Sequence, residues 1–570
     1  MKKVYNLLAA GMLVCLGGQL HAQRYLTEVF TDDQIVITTN VVYGQNISVE
    51  ATVISAMQGQ PPVAPDTIEL KMDVYQPINE IDTVEARPLI IYLPTGDFLP
   101  PVINGSPNGN RKDSSAVNFA RQLAKRGYVC AVVDYRKGWN PVSQNQIVRT
   151  GTILNAAYKG QQDSKTAVRY FRDDNAHANE YKIDPNKVVL LGEGTGGYVA
   201  MAHAFLDAPW KIGRLPGLGD DKFLRTSNPD TSVVDTNRVG NFDGTNSITM
   251  NLMDFALSGG DLMKVKGNVG NYPDQPSNVQ LVINLGGALG DSSWLDPGQI
   301  PLIGIQAVRD PNAPYQIGDV IVHTTGDIVI PFASGAGHNV KQATDYGNND
   351  SFANKVYTDP VTVAAESRYN QEIPFAPGTI NTGSGKGLLP FILTEASPRP
   401  YNHGGPWQFW SSTQPTAMAN VPGSNPAITT HQASSASNPF MAQSDAVGRE
   451  KALLYIDSIQ QFIHPRIVCA LGLEECALFG NVGIAKNVVN TSNLTVYPNP
   501  ANQTVYVKLK GKSDAITATS LFNITGAQIS KNIEVQGQQI KIEKGDLPSG
   551  IYLVRIQTKS AEYTARIIFE

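Results

Sequence analysis

The stretch Val188–Ala200 reads VVLLGEGTGGYVA and decides the fold class. An uninterrupted apolar run leads into closely spaced glycines, and small and apolar residues follow. This order is typical of a strand that is buried on both faces and turns sharply into a helix. The sequence therefore predicts a strand–turn–helix unit of an α/β protein, with Gly194 at the centre of the turn.

The segments around this unit repeat the alternation of strand and helix. Predicted strands include PLIIYLP and YVCAVVDYR, and predicted helices include DSSAVNFARQLAKRG, GQQDSKTAVRYFRDDNA and the later GREKALLYIDSIQQFIHPR. The first helix is expected to begin at Asp113 or Ser114 and to end at Gly127. Connections of this length predict a mostly parallel sheet flanked by helices.

Charge and cysteine content exclude several function classes. The net charge is −5 without a basic cluster, which argues against nucleic-acid binding because phosphates require clustered cations. No C-x-x-C or Cys/His cluster suggests a metal, so neither a metal nor a cofactor is predicted. Cys130 lies in an apolar strand and reads as a buried thiol, whereas Cys469 and Cys476 lie close enough in sequence to pair.

The first residues predict export. Lys2 and Lys3 precede an apolar run from Leu7 to Leu16, and Ala22 follows at the expected cleavage position. We interpret residues 1–22 as a secretory signal peptide. No later segment is apolar for about 18 residues, so no transmembrane segment is expected in the mature chain.

The last part of the chain changes character. After a small and polar linker at residues 481–493, residues 494–570 form short alternating segments, of which Val505, Val507 and Leu509 predict one buried face. The motifs YPNP, LFNITG and LPSGIYLVRI, in this order, resemble the type A sorting domain of the Bacteroidetes type IX secretion system. The resemblance implies an all-β sandwich that engages the type IX secretion machinery. It also implies export across the outer membrane, after which the protein is attached to the cell surface or released.

The main body, residues 23–480, resembles the carboxylesterase-type α/β-hydrolases. The resemblance rests on DVYQP, PLIIYLP, AVVDYR, YKIDPNKVVLLGEGTGG and GQIPLIGIQAVRDPNAPY. It implies the α/β-hydrolase fold with a lid-like insertion at about residues 207–278. It also implies positions for a Ser-His-Asp triad, in which a serine attacks and a histidine carries the proton.

The nucleophile position lacks its serine. GEGTGG aligns with the family's GESAGG and places Gly194 where the serine belongs, and no other G-x-S-x-G occurs in the chain. Thr195 is the nearest hydroxyl, but one residue along a helix turns a side chain by about 100°. We therefore interpret Thr195 as a locally hydrogen-bonded residue of the first helical turn, whose N–H belongs to the oxyanion-hole region.

The other triad positions are weaker candidates. Asp310 matches the family's acid position, and Asp327 is a second candidate. The structural alternative for Asp310 is that it only starts a turn before a proline. His403 falls where the family's histidine loop is expected. His323 lies in a strand-like run and is interpreted as structural, whereas His464 is expected at the end of the late helix, where it meets the helix dipole favourably.

The oxyanion loop is also altered. The family often carries His-Gly-Gly-Gly after the strand PLIIYL, and this chain carries Pro94–Phe98, PTGDF. Gly96 can still present a backbone N–H, but Asp97 places a negative charge near the expected oxyanion.

These features lead to one function and two alternatives. The leading interpretation is an exported pseudo-esterase that binds a small ester or carbohydrate ligand, or a partner. The aromatic residues Tyr401, Trp407, Phe409 and Trp410 near the expected pocket mouth suit such ligands, although packing explains them equally well. The alternatives are an ester hydrolase that uses an unconventional nucleophile or an activated water, and a structural or adhesive surface component. If the remaining machinery is intact, Gly194→Ser is expected to create activity.

Overall fold

The computed structural model divides the chain into two compact units, Met1–Gly480 and Asn481–Glu570. The structure describes residues 24–101, 103–213, 222–225, 228–322, 326–375, 378–393, 404–411, 413–414, 438–480, 494–509, 515–523, 528–529, 533–558 and 562–570. The expected signal peptide, the expected linker, His323, Tyr401 and His403 lie outside these residues.

An eight-stranded sheet forms the centre of the first unit. Its strands are β1 (Ile35–Ser48), β2 (Asp66–Pro77), β3 (Arg87–Leu93), β4 (Val129–Val133), β5 (Ile183–Glu193), β6 (Leu281–Leu285), β7 (Leu302–Ala307) and β8 (Leu388–Phe391). They lie in the order β1-β2-β4-β3-β5-β6-β7-β8. Only β2 runs antiparallel to its neighbours, and all other pairs are parallel. The mostly parallel sheet predicted from the sequence is confirmed.

Helices cover both faces of this sheet, which is why its central strands β3, β4 and β6 are buried along their whole length. The helices are α1 (Glu50–Met57), α2 (Ser114–Lys125), α3 (Gln146–Ala176), α4 (Thr195–Phe205), α5 (Ala336–Asp345), α6 (Pro360–Glu366) and α7 (Asp445–Ala470). In β3, Leu89 and Ile91 belong to the core shared with α3, α4 and α5. Ile90 and Tyr92 belong to the opposite core, shared with α2 and α7. Successive side chains of a buried strand thus pack against different helical layers.

Two helices are longer than predicted. α3 begins at Gln146, where Asn145 caps it, rather than at Gly160. α7 continues past Pro465 to Ala470, so His464 lies inside the helix and not at its end. The interpretation that His464 meets a helix dipole is therefore wrong. Its ring is buried and stacks on Tyr128, and burial holds its pKa well below the usual value.

Smaller strands and helices lie in the connections between the main elements. Between α4 and β6 lie the short strands Leu224–Arg225, Asn228–Ser232, Ile248–Asn251 and Lys266–Asn268 and the short helices Thr236–Val239 and Met253–Leu257. After β7 come the hairpins Ile317–Val322 with Asp327–Ser334 and Glu372–Phe375 with Gly378–Asn381, and the single turn Asp350–Ala353. Cys130 is a buried free thiol, and Cys469 is bonded to Cys476.

The second unit is all β. Its strands are β9 (Leu494–Tyr497), β10 (Thr504–Leu509), β11 (Ile516–Asn523), β12 (Gln528–Ile529), β13 (Ile533–Gln536), β14 (Gln539–Glu543), β15 (Gly550–Thr558) and β16 (Glu562–Phe569). They form two four-stranded sheets, β9-β10-β14-β13 and β12-β11-β15-β16. The alternation along β10 is confirmed, since Val505, Val507 and Leu509 are buried in one core.

Candidate active site

Loops that follow neighbouring strands meet at the carboxyl edge of the main sheet. The loop after β3 carries Thr95 and Gly96, and β5 leads directly into Gly194. β6 is followed by Gly286, and β7 by Asp310. In parallel sheets the crevice beyond the carboxyl ends of the strands is where ligands bind. The sequence-predicted positions Gly194, Asp310 and Gly96 therefore share one edge.

The turn at Gly194 keeps the backbone of a nucleophile elbow. Gly194 is the N-cap of α4 with φ 54° and ψ −117°, a conformation that a residue with a Cβ adopts only under strain. Its N–H donates to Leu285 O at 2.8 Å, and its carbonyl accepts from Gly197 N at 2.9 Å. These bonds fix the direction in which a side chain at position 194 would point.

The neighbouring glycines are required by close packing. A Cβ on Gly192 would lie 2.1 Å from Gly196 O, and a Cβ on Gly196 would lie 2.0 Å from Leu93 O. A Cβ on Gly197 would lie 2.5 Å from Asn284 Oδ1. The spacing of glycines that marked this turn in the sequence therefore has a steric origin.

Thr95 fills the space beside Gly194. A Cβ built on Gly194 would lie 2.3 Å from Thr95 Oγ1 and 2.9 Å from Thr95 Cβ. Carbon atoms in contact are ordinarily about 3.5–4.0 Å apart. The altered loop was predicted from the sequence to act through the charge of Asp97, and the contact of Thr95 with residue 194 was not predicted. Asp97 is exposed, and its backbone carbonyl accepts from Trp139 Nε1 at 2.9 Å.

The hydroxyl of Thr195 is engaged away from the triad positions. Tyr135 Oη donates to Pro94 O at 2.8 Å, and Thr195 Oγ1 lies 3.1 Å from the same phenol oxygen. Because the single phenol hydrogen is used by Pro94 O, the Thr195 hydroxyl donates to Tyr135. This geometry favours the local role assigned to Thr195.

The loop after β3 retains the glycine needed for a tight oxyanion-type turn. Gly96 has φ 138°, and a Cβ on it would lie 2.7 Å from Gly109 Cα. Asp97 and Phe98 follow with φ values of 55° and 53°. Three successive positive φ angles hold this loop in a conformation that costs free energy and is typical of functional sites.

Asp310 is a buried carboxyl at the end of β7. Its Oδ1 accepts from Asn312 N at 2.8 Å, as the turn interpretation predicts. Burial raises the pKa of Asp310 to about 8, and the backbone N–H groups only partly oppose this shift. A Cβ on Gly404 would lie 3.1 Å from Asp310 Oδ1. The residue that directly follows His403 therefore lies against the candidate acid.

Glu193 anchors this same loop to the elbow. Its Oε1 accepts from Trp407 Nε1 and Gln408 Nε2, both at 2.8 Å, and its Oε2 accepts from Tyr92 Oη at 2.8 Å. Burial raises the pKa of Glu193, and these three donors oppose the shift. Trp407 and Trp410 are buried. Packing therefore explains both tryptophans better than display at a pocket mouth does.

Two other polar groups have structural roles. Asp327 forms an ion pair with Arg149, whose Nη2 donates to Asp327 Oδ1 at 2.9 Å. Ser164 and His203 lie 2.8 Å apart, a contact that the sequence did not reveal. Since His203 Nε2 must donate to Ser277 O, Nδ1 accepts from the Ser164 hydroxyl. Burial lowers the pKa of His203 to about 3. Both residues are buried, so this pair presents no nucleophile to solvent.

An apolar cavity of about 50 Å³ borders the helix that starts at the elbow. Tyr198 and Ala202 of α4, Tyr158 of α3, and Phe223 and Trp294 contribute to its wall. Such a cavity has room for a small apolar group. Within the described residues, no cluster of three or more His, Cys, Asp or Glu side chains is arranged to hold a metal ion.

Comparison with known families assigns both units. Residues 72–212, which span β2 to α4 and include the elbow, match the family described as BD-FAE. Residues 495–570 match the secretion system C-terminal sorting domain. The chain is an α/β-hydrolase-fold protein with a type IX sorting domain. The sorting domain implies export across the outer membrane to the cell surface or the medium.

Solved structures of esterases share parts of the hydrolase domain. Thermogutta terrifontis esterase 2 phosphoramylated by tabun is 16% identical with a TM-score of 0.25, covering 50% of this chain and 74% of its own. Esterase B from Lactobacillus rhamnosis is 17% identical with a TM-score of 0.20, covering 36% and 50%. MGS-M1, an α/β-hydrolase from a Medee basin deep-sea metagenome library, is 23% identical with a TM-score of 0.17, covering 24% and 46%.

A comparison with curated protein sequences finds no significant match. In the part of the chain that the structure describes, no helix is both long and apolar enough to cross a membrane.

Proposed function

We propose that this exported protein is a pseudo-esterase that binds an ester-like ligand without forming an acyl-enzyme. The observation that carries the proposal is the pairing of Gly194 with Thr95. Glycine offers no oxygen for attack, and the space that a nucleophile's Cβ needs lies 2.3 Å from Thr95 Oγ1.

The protonation state of Asp310 supports the same conclusion. In a working triad the acid is an ionised carboxylate that stabilises the imidazolium formed during catalysis. Burial raises the pKa of Asp310 to about 8, which favours the neutral carboxyl over the ionised form. A neutral carboxyl suits a hydrogen bond to a ligand or a neighbouring loop better than it suits this electrostatic role.

The ligand class follows from the retained parts of the site. The loop at Gly96 and the first turn of α4 carry backbone N–H groups of the kind that hold a carbonyl oxygen. The cavity beside Tyr198 accepts only a small apolar group. A small ester or an acylated sugar offers both features, and its binding at the cell surface would not require turnover.

Activity-based labelling tests this function. The purified protein without its signal peptide is treated with a fluorescent fluorophosphonate and, separately, with p-nitrophenyl acetate. We expect no labelling and no turnover above the buffer rate. Thermal-shift measurements with a panel of short-chain and acetylated-sugar esters should reveal binding as a rise in Tm. Stoichiometric labelling would contradict the proposal.

A second candidate is an esterase in which Thr95 attacks. It is favoured by one observation, that Thr95 Oγ1 lies beside the position of the missing nucleophile. This alternative predicts that the label sits on Thr95 when the protein is digested and analysed by mass spectrometry. It also predicts that Thr95→Ala abolishes turnover.

A further inference from the structure

We propose that Thr95 closes the nucleophile position, so that the elbow stays inert even when a serine is returned to residue 194. This inference rests on the proposed function, because it explains what keeps the site from acylation. It replaces the expectation that Gly194→Ser alone tests whether the remaining machinery is intact.

The position of residue 194 cannot adjust to make room. Its N–H is bonded to Leu285 O in the neighbouring strand, and its carbonyl accepts from the amides of Gly197 and Tyr198 in the first turn of α4. The turn also has Gly196 packed directly against Leu93 O. A side chain at residue 194 is therefore directed at Thr95 by backbone bonds on both sides.

The backbone of Thr95 is held equally firmly. Pro94 O, on the residue before it, accepts from Tyr135 Oη at 2.8 Å. Gly96, the residue after Thr95, packs on Gly109, and its carbonyl oxygen accepts from Leu99 N at 2.9 Å. The loop cannot withdraw without breaking these contacts.

A rotation of the Thr95 side chain does not remove the clash. Rotation about χ1 moves Oγ1 and the methyl group, but it leaves Cβ in place. The Cβ atoms of residues 95 and 194 would still be 2.9 Å apart. Alanine at residue 95 therefore relieves only part of the overlap, and glycine is the substitution that removes it.

This distinction between alanine and glycine gives a graded experiment. Gly194→Ser is combined with Thr95, Thr95→Ala and Thr95→Gly, and each protein is treated with the fluorescent fluorophosphonate. We expect Gly194→Ser alone to be labelled at background level and Gly194→Ser with Thr95→Ala to be labelled weakly. Gly194→Ser with Thr95→Gly should be labelled at residue 194 at least tenfold more than Gly194→Ser alone. The single variant Thr95→Gly is the control and should remain unlabelled.

A stability cycle tests the contact without relying on chemistry. Gly194→Ala should lower Tm by at least about 4 °C when residue 95 is threonine. At least half of that loss should disappear in the Thr95→Gly background, because only the strain of the positive φ then remains.

The outcomes separate the two proposals. Equal Tm losses in both backgrounds, or equal labelling of Gly194→Ser with and without Thr95→Gly, would overturn the role of Thr95. If Gly194→Ser with Thr95→Gly folds and takes no label, although the Tm values show the coupling, Thr95 is not what prevents acylation. Labelling of the unsubstituted protein would instead contradict the proposed function, whatever the cycle shows.

Discussion

At the scale of single residues, the contact between Thr95 and Gly194 follows from strand register. β3 and β5 are parallel neighbours, and Leu93 pairs with Gly192. Thr95 and Gly194 each lie two residues beyond this pair, so they emerge side by side at the same edge of the sheet. A β-branched residue in the first loop thus restricts which residue the second loop can carry.

Asp310 provides a test of burial at the same scale. Its pKa is raised from a usual value of about 4 to about 8, so the folded state binds an extra proton between these pH values. The contribution of Asp310 to the free energy of unfolding is therefore fully present below about pH 4 and is lost as the pH rises through about 8. Relative to Asp310→Asn, the unsubstituted protein should lose about 3 kcal/mol between pH 5 and pH 8.

Urea unfolding of both proteins at pH 5, 6.5 and 8 measures this difference, since other titrating groups cancel in the comparison. Parallel pH profiles would show that the carboxyl is already ionised at pH 5. That result would mean that Asp310 has a cationic partner.

At the scale of elements, Glu193 connects the strand before the elbow to the loop after β8. Tyr92 of β3 and the adjacent Trp407 and Gln408 of this loop donate three hydrogen bonds to one buried carboxyl. All three donors are buried, so water cannot replace the carboxyl as their partner when it is removed. The elbow and the loop at Gly404 are therefore positioned by one polar cluster.

Removing this cluster should be costly. We expect Glu193→Ala to lower the free energy of unfolding by about 3 kcal/mol, since an unsatisfied buried donor costs about 1–3 kcal/mol. Tyr92→Phe removes a single hydroxyl and serves as the matched control, with an expected loss of about 1 kcal/mol. Both values come from urea unfolding at pH 7. A loss for Glu193→Ala no larger than that of the control would show that the cluster is not the anchor.

At the scale of the whole molecule, the two units have separate cores. The hydrolase domain contains the two clusters on either face of the main sheet, and the sorting domain contains its own cluster around Val505, Val507 and Ile540. Each unit thus has the apolar core that independent folding requires.

Removal of residues 481–570 should leave the hydrolase domain folded. We expect its Tm to stay within about 2 °C of the value in the full chain, because no part of its core is lost. In the producing cell the truncated protein should remain in the periplasm, since the sorting domain is the export signal. Calorimetry and cell fractionation check these results. A fall in Tm of more than about 5 °C, or normal export, would contradict them.

Much of the fold could be predicted because local patterns report burial and turn chemistry. The apolar run before Gly192 predicted a strand buried on both faces, and the glycine spacing predicted the elbow. Helix starts were predicted less well. α3 begins at Gln146 because the Asn145 side chain caps it, a local signal that the prediction of a start at Gly160 did not use.

The sequence by itself determined that residue 194 carries no nucleophile, because the absence of an oxygen is a property of glycine and needs no coordinates. It also determined the parallel α/β sheet and the sorting domain, whose patterns are local. Only the tertiary structure decided that Thr95 lies against residue 194, and that Gly404 lies against Asp310. These pairs are about 100 residues apart in the chain and meet only through strand order and register. Local preferences encode the conformation of each loop, whereas the distance between two loops depends on the whole sheet that carries them.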